Sequence, residues 1–228
     1  MYRDAPEVLH SGVAVAVRGI AFLLTGLLLG GCMQTAQTML QPASEASFTA
    51  RDKSLLTNVP YEKVAIQPAF QRSIVDFHRK EVSGTIVVDT DARYLYYVLP
   101  EGKAIRYGVT VGEDAQSWSG IAKVGNMQEW PPWTPTEGEK RRLGPLPSYV
   151  EGGPGNPMGA RGIYLFQGSK DTLFRIHGTN QPEYIGEAIS SGCIRMTNED
   201  VIDLYMRVKI GTPVVVLSSP NSHMASRE

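Results

Sequence analysis

The chain has 228 residues, 22 Lys plus Arg against 23 Asp plus Glu, and a formal net charge of −1. That balance supplies no basic field for nucleic acid, and with the first 31 residues set aside about 200 remain, enough for one domain with a proper core. The 23 Gly and 15 Pro are strongly clustered, the composition of a β-rich chain with long shaped loops.

Residues 1–31 read as an export signal. Arg18 precedes an apolar run over residues 19–29, too short to span a bilayer as a helix but of h-region length, followed by Gly30-Gly31-Cys32. Leu29-Gly30-Gly31-Cys32 resembles a bacterial lipobox, in which Cys32 becomes the lipidated first residue of the mature protein. The competing reading is an ordinary signal, or an uncleaved anchor, with Cys32 incidental. Asp4 and Glu7 beside the single basic Arg3 do not suit a basic n-region, so either the leader is long or translation begins later. The expected location is the periplasmic face, held to a membrane through Cys32. Met33 after the Cys, where Asp would signal inner-membrane retention, directs it to the outer membrane of a two-membrane cell.

Residues 33–57 are rich in Gln, Thr, Ser and Ala, which predicts a tether over 32–65. Phe70, Ile74 and Phe77 fall at helical spacing and predict a short helical lead-in within 66–83. From residue 84 the pattern becomes that of strands: 85–88, 93–99, 104–112, 162–166, 172–177 and 213–217, with short turns that favour an antiparallel meander. Thr197 or Asn198 caps a helix over 199–209. The stretches 118–147 and 151–160 read as long irregular loops, and Trp130 and Trp133 among prolines suit a wall or lid beside a substrate groove. One domain over 84–218 and a mobile tail over 219–228 complete the layout.

The chemistry concentrates at Ser190-Ser191-Gly192-Cys193-Ile194-Arg195, sixteen positions after His177. A lone Cys is ordinarily a small buried hydrophobe. Here its flanks are Gly and Arg, and a His ends the strand before it, a recognised nucleophile signature. A thiol attacks as thiolate, so His177 is read as the base that lowers its pKa. Gly192 frees the backbone where consecutive amides could cradle an oxyanion. With Cys32 assigned to the lipobox, Cys193 has no disulfide partner. The absence of a resolving Cys near Cys193 also disfavours thiol redox chemistry. No His, Cys or Asp cluster has ligand spacing, so neither metal nor cofactor is expected.

From about Gly84 to Leu217 the chain resembles the L,D-transpeptidase catalytic domain of the YkuD type. The resemblance rests on Thr85-Ile86-Val87-Val88-Asp89, Tyr107-Gly108-Val109-Thr110-Val111-Gly112, Trp118-Ser119-Gly120, the Gly-rich run 152–161, His177-Gly178-Thr179-Asn180 and the Cys193 motif, in this order. It implies a mainly β, YkuD-like sandwich or meander with short helices and groove-lining loops. It also implies Cys193 as nucleophile, His177 as proton acceptor and donor, the Gly178 carbonyl orienting the imidazole, and amides at Ser191, Gly192 and Cys193 forming the oxyanion hole. Arg195, Trp118 and Trp130 become substrate-contact candidates. Many members have His where this chain has Ser191, a position whose role is largely one of backbone. The implied reaction uses peptidoglycan stem peptides: a thioester on Cys193, release of D-Ala, transfer to an amine in a 3→3 crosslink, and inhibition by carbapenem-type β-lactams. Water or a protein amine as acceptor, and a wall-binding protein that has lost turnover, remain the alternatives.

Overall fold

β-Branched and aromatic runs build ten strands among residues 44–112, 118–189 and 193–217, the residues that the computed structural model describes. They are β1 Ser73–Asp76, β2 Ile86–Asp89, β3 Tyr94–Val98, β4 Lys103–Gly108, β5 Thr110–Val111, β6 Gly120–Glu129, β7 Arg161–Gln167, β8 Lys170–His177, β9 Ile194–Arg195 and β10 Pro213–Val216. Three α-helices accompany them: α1 Ala50–Thr57, α2 Glu137–Leu143 and α3 Asn198–Arg207.

The strands hydrogen-bond in the order β1-β4-β3-β2-β10-β6-β7-β8-β9-β5. The expected meander is β2–β3–β4. The last strand, β10, inserts parallel to β2 and antiparallel to β6, joining that meander to the β6–β7–β8 ladder. Both faces of the centre are buried: Ile86 and Val88 face the main core, and Val87 faces a second cluster with Phe77, Tyr96 and Val98. Ile105 and Tyr107 from one end of the order share the main core with Ile176 and Ile194 from the other, so the sheet curls around it. Val201, Ile202 and Leu204 of α3 enter the same core. Thr197 caps α3 by accepting the Asp200 N–H at 3.1 Å, and Asp203 ties the helix to the sheet through the Tyr107 hydroxyl at 2.6 Å.

Three expectations are corrected. The lead-in helix within 66–83 is instead a 3₁₀ turn, Pro68–Phe70, followed by β1, which pairs with β4 from Ser73↔Arg106 to Asp76↔Lys103. The open edge of β4 offers hydrogen bonds, and the aromatic pairs Phe70–Tyr94 at 5.3 Å and Phe77–Tyr96 at 5.6 Å hold both ends of the strand to β3. The tether expected over 32–65 is folded from residue 44 onward: Phe48 and Leu56 are buried in the main core, and Thr49 caps α1. Leu55 and Val59 pack against the same core, and buried Asp52 pairs with Arg161. Finally, 118–147 is not one irregular loop. Ala122 and Val124 alternate with exposed Ile121 and Lys123 in β6, and a Thr136–Glu139 capping box starts α2. Residues 1–31, Cys32 and 219–228 lie outside the described residues.

Candidate active site

Strand register brings the chemistry together. Tyr164 pairs with Arg175 and Gly162 with His177 across β7–β8, while Ile176 and His177 run parallel to Ile194 and Arg195 across β8–β9. Side chains alternate with period two, so Arg175, His177 and Arg195 share a face, and Cys193, just before β9, falls beside Arg175. All four line one cavity of about 250 Å³ with Tyr164 and Met158, walled from the β6–β7 connection by Trp133, Thr136 and Glu139. The Cys193 carbonyl accepts the Gly112 N–H at 3.2 Å, and the His177 carbonyl accepts the Met196 N–H at 2.8 Å, so both backbones are held. Cys193 is a partly buried free thiol.

His177 is buried, with Nδ1 2.6 Å from the Gly178 carbonyl oxygen. A carbonyl can only accept, so Nδ1 carries the proton and Nε2 keeps its lone pair. Gly178 is fixed in turn: its N–H donates to the Arg161 carbonyl at 3.1 Å. A Cβ here would stand 2.2 Å from Asn198 Oδ1 and 2.8 Å from the Ala160 nitrogen, so only glycine fits. Asn198, at the start of α3, accepts the Ala160 N–H at 2.8 Å. It donates to the Thr179 carbonyl and the Tyr61 hydroxyl oxygen, each at 2.9 Å.

Burial pushes the His177 imidazole down to about 3, assisted by the Arg195 and Arg175 charges and opposed by the Gly178 carbonyl. It also pushes the Cys193 thiol up to about 11; Glu139 acts in the same direction, and Arg195 and Arg175 oppose it. Desolvation outweighs both guanidiniums, so the resting pair is a neutral thiol beside a neutral imidazole, not the thiolate expected from the motif.

Arg175 was not singled out in the sequence, although its place two residues before His177 on a strand puts it on the same face. Asp171 grips it with two 2.7 Å contacts, and its guanidinium lies 4.4 Å over the Tyr164 ring. Arg195 lines the cavity, its guanidinium reaching Gln181 Oε1 at 3.5 Å. Ser191 and Gly192 lie outside the described residues.

The expected substrate contact at Trp130 is corrected. Trp130 is buried in the core at φ +45° and donates its Nε1–H to Asp52 at 2.9 Å. Trp118 stacks on Phe174 with ring centroids 4.9 Å apart and is not among the residues lining the cavity. Of the three tryptophans, Trp133 forms the wall. Among the described residues no group of three His, Cys, Asp or Glu is placed to hold a metal ion.

A family model for the YkuD L,D-transpeptidase catalytic domain matches residues 83–216. The probable L,D-transpeptidase ErfK/SrfK of Escherichia coli K12 is 35% identical over 144 residues, covering 59% of this chain and 44% of that protein. The probable L,D-transpeptidase YbiS of the same strain is 34% identical over 145 residues, covering 60% and 45%. The chain thus spans less than half the length of these curated relatives. A solved structure from Brucella melitensis, described as a probable carnitine operon oxidoreductase, is 48% identical over 67% of this chain and 96% of that one, with a TM-score of 0.45. At that score its description does not carry over.

Proposed function

The chain belongs to the L,D-transpeptidase catalytic-domain family, and from that premise we propose that it transfers peptidoglycan stem peptides through a thioester on Cys193. The observation that carries the reading is a cavity holding both Cys193 and an Nε2-basic His177, flanked by two guanidiniums.

Sγ attacks the carbonyl between the third stem residue and its terminal D-Ala while Nε2 of His177 takes the thiol proton. Amides at Ser191, Gly192 and Cys193 receive the developing oxyanion. His177 then gives its proton to the departing amine, the C–N bond breaks, D-Ala leaves and the C–S thioester remains. An acceptor amine enters, loses its proton to His177 and displaces sulfur, which recovers that proton as a thiol. Arg195 meets a stem carboxylate. The imidazolium formed midway is costly beside Arg175 and Arg195, and the oxyanion of the intermediate offsets that cost.

The reading extends to the ends of the chain: residues 1–31 direct export, Cys32 carries the lipid anchor, and 84–218 does the chemistry at the periplasmic face. The test is incubation of the protein with disaccharide-tetrapeptide and mass analysis of products, with Cys193→Ala as control. A crosslinked dimer with released D-Ala is expected from the wild type and neither from the variant. Tripeptide and D-Ala without dimer would reassign the protein as a hydrolase. Absence of D-Ala from folded wild type would leave the wall-binding alternative.

A further inference from the structure

The family match begins at residue 83, yet two side chains from the segment before it converge on the loops that hold His177. The first is Asp52 of α1. Its carboxylate receives Arg161 at 2.9 and 2.7 Å, Trp130 Nε1 at 2.9 Å and the Thr49 hydroxyl at 2.7 Å. The Asp52 and Arg161 side chains are 1% and 3% exposed. Burial alone would raise the Asp52 carboxyl, but these donors and the Arg161 charge hold it below its ordinary range. The Arg161 guanidinium also donates to the Ala160 carbonyl at 2.8 Å, and the Arg161 carbonyl takes the Gly178 N–H. The second is Tyr61, whose hydroxyl oxygen accepts from Asn198; that amide in turn holds Ala160 N–H and the Thr179 carbonyl.

We infer that residues 44–61 form a clamp on the catalytic base, with Asp52 and Tyr61 as positioning residues acting on His177 through Arg161, Asn198 and Gly178. The inference rests on the acyl-transfer reading of Cys193 and His177. Both routes reach the 159–161 and 177–179 loops, one holding Gly178 through the Arg161 carbonyl, the other Thr179 through Asn198. Gly178 supplies the oxygen that fixes Nδ1–H and leaves Nε2 as the base. Without the Asp52 charge, the Arg161 guanidinium is left buried and uncompensated, and it must turn toward water. The Ala160–Arg161 peptide moves with it, and the Gly178 oxygen leaves Nδ1. A docked tether that served only as a spacer would need none of this, since apolar anchors such as Phe48 and Leu56 already attach it.

The test compares full-length wild type with Asp52→Asn and Tyr61→Phe, checking folding by circular dichroism and reading D-Ala release with the His177 Nδ1–H resonance of ¹⁵N-histidine-labelled protein. In folded Asp52→Asn we expect kcat to fall about tenfold to a hundredfold with KM little changed, and the Nδ1–H signal to broaden or shift. Tyr61→Phe should give a smaller loss of the same kind. Wild-type kcat per folded molecule and an unmoved resonance in Asp52→Asn would overturn the clamp. If Asp52→Asn does not fold, the same two readouts on Tyr61→Phe decide. Failure of the wild type to release D-Ala would sink the acyl-transfer reading instead, while the resonance would still report on the clamp.

Discussion

Between pH 7 and pH 4, acid should destabilise this protein chiefly through His177. An imidazole ordinarily titrates at 6.5, and in the fold His177 is pushed down to about 3, first by burial and then by Arg195. As pH falls, the unfolded chain binds this proton before the native one does. The stability His177 contributes is therefore complete above 6.5, shrinks below it, and is gone near 3. At about 1.36 kcal/mol per pH unit the whole gap amounts to ~5 kcal/mol, of which ~3 kcal/mol is lost between pH 7 and pH 4. Urea unfolding of wild type and His177→Asn at pH 7, 6, 5 and 4 isolates this contribution, because other groups cancel in the difference. Among them is Asp200, whose carboxyl burial raises to about 6. Wild type should lose ~3 kcal/mol relative to the variant across that range. A difference constant within about 0.5 kcal/mol would mean that the folded imidazole is hydrated, and the neutral-pair reasoning would fall with it.

Desolvation of the partly buried thiol makes the complementary case: alkylation of Cys193 should keep rising past pH 9.0, the ordinary thiol value, toward a midpoint near 11. Glu139→Gln removes a charge that adds to that elevation, so alkylation at pH 8 should speed up by about threefold, the scale of a solvent-screened charge interaction. Asn198→Ala leaves the Ala160 N–H, the Thr179 carbonyl and the Tyr61 hydroxyl without their partner, and thermal unfolding should show a loss of about 3 kcal/mol. No loss would mean that water replaces the amide at all three.

Cys193 and His177 were legible as candidates because each sits in a short motif, and β8 was legible as the strand that ends in His177. Period-two placement could also have revealed Arg175, which shares a strand face with His177. What the sequence hid was long-range. Apart from Thr49, the partners of Asp52 lie 78 and 109 residues away, so nothing near Asp52 reveals that it is buried. Trp130 looked like a groove residue because its neighbours are prolines; the buried Asp52 that takes its Nε1–H is what draws it inward. Phe70, Ile74 and Phe77 fit a helix locally, and the unpaired edge of β4 overrode that spacing. The neutral resting pair was hidden for a related reason, since it follows from desolvation, which only the folded surroundings set.

The position of β10 has a consequence for how the chain reaches its native state. Within the strand order, β2 and β6 meet only through it; the other junction between the early meander and the ladder bearing His177 is the two-residue β5–β9 pairing, Thr110↔Arg195 and Val111↔Ile194. Val214 must find Ile86 across more than half the chain, a non-local pairing that slows folding and makes it strongly cooperative. A chain that stops short of β10 would keep Cys193 and His177 on neighbouring strands but leave their ladder paired to the meander only through β5–β9.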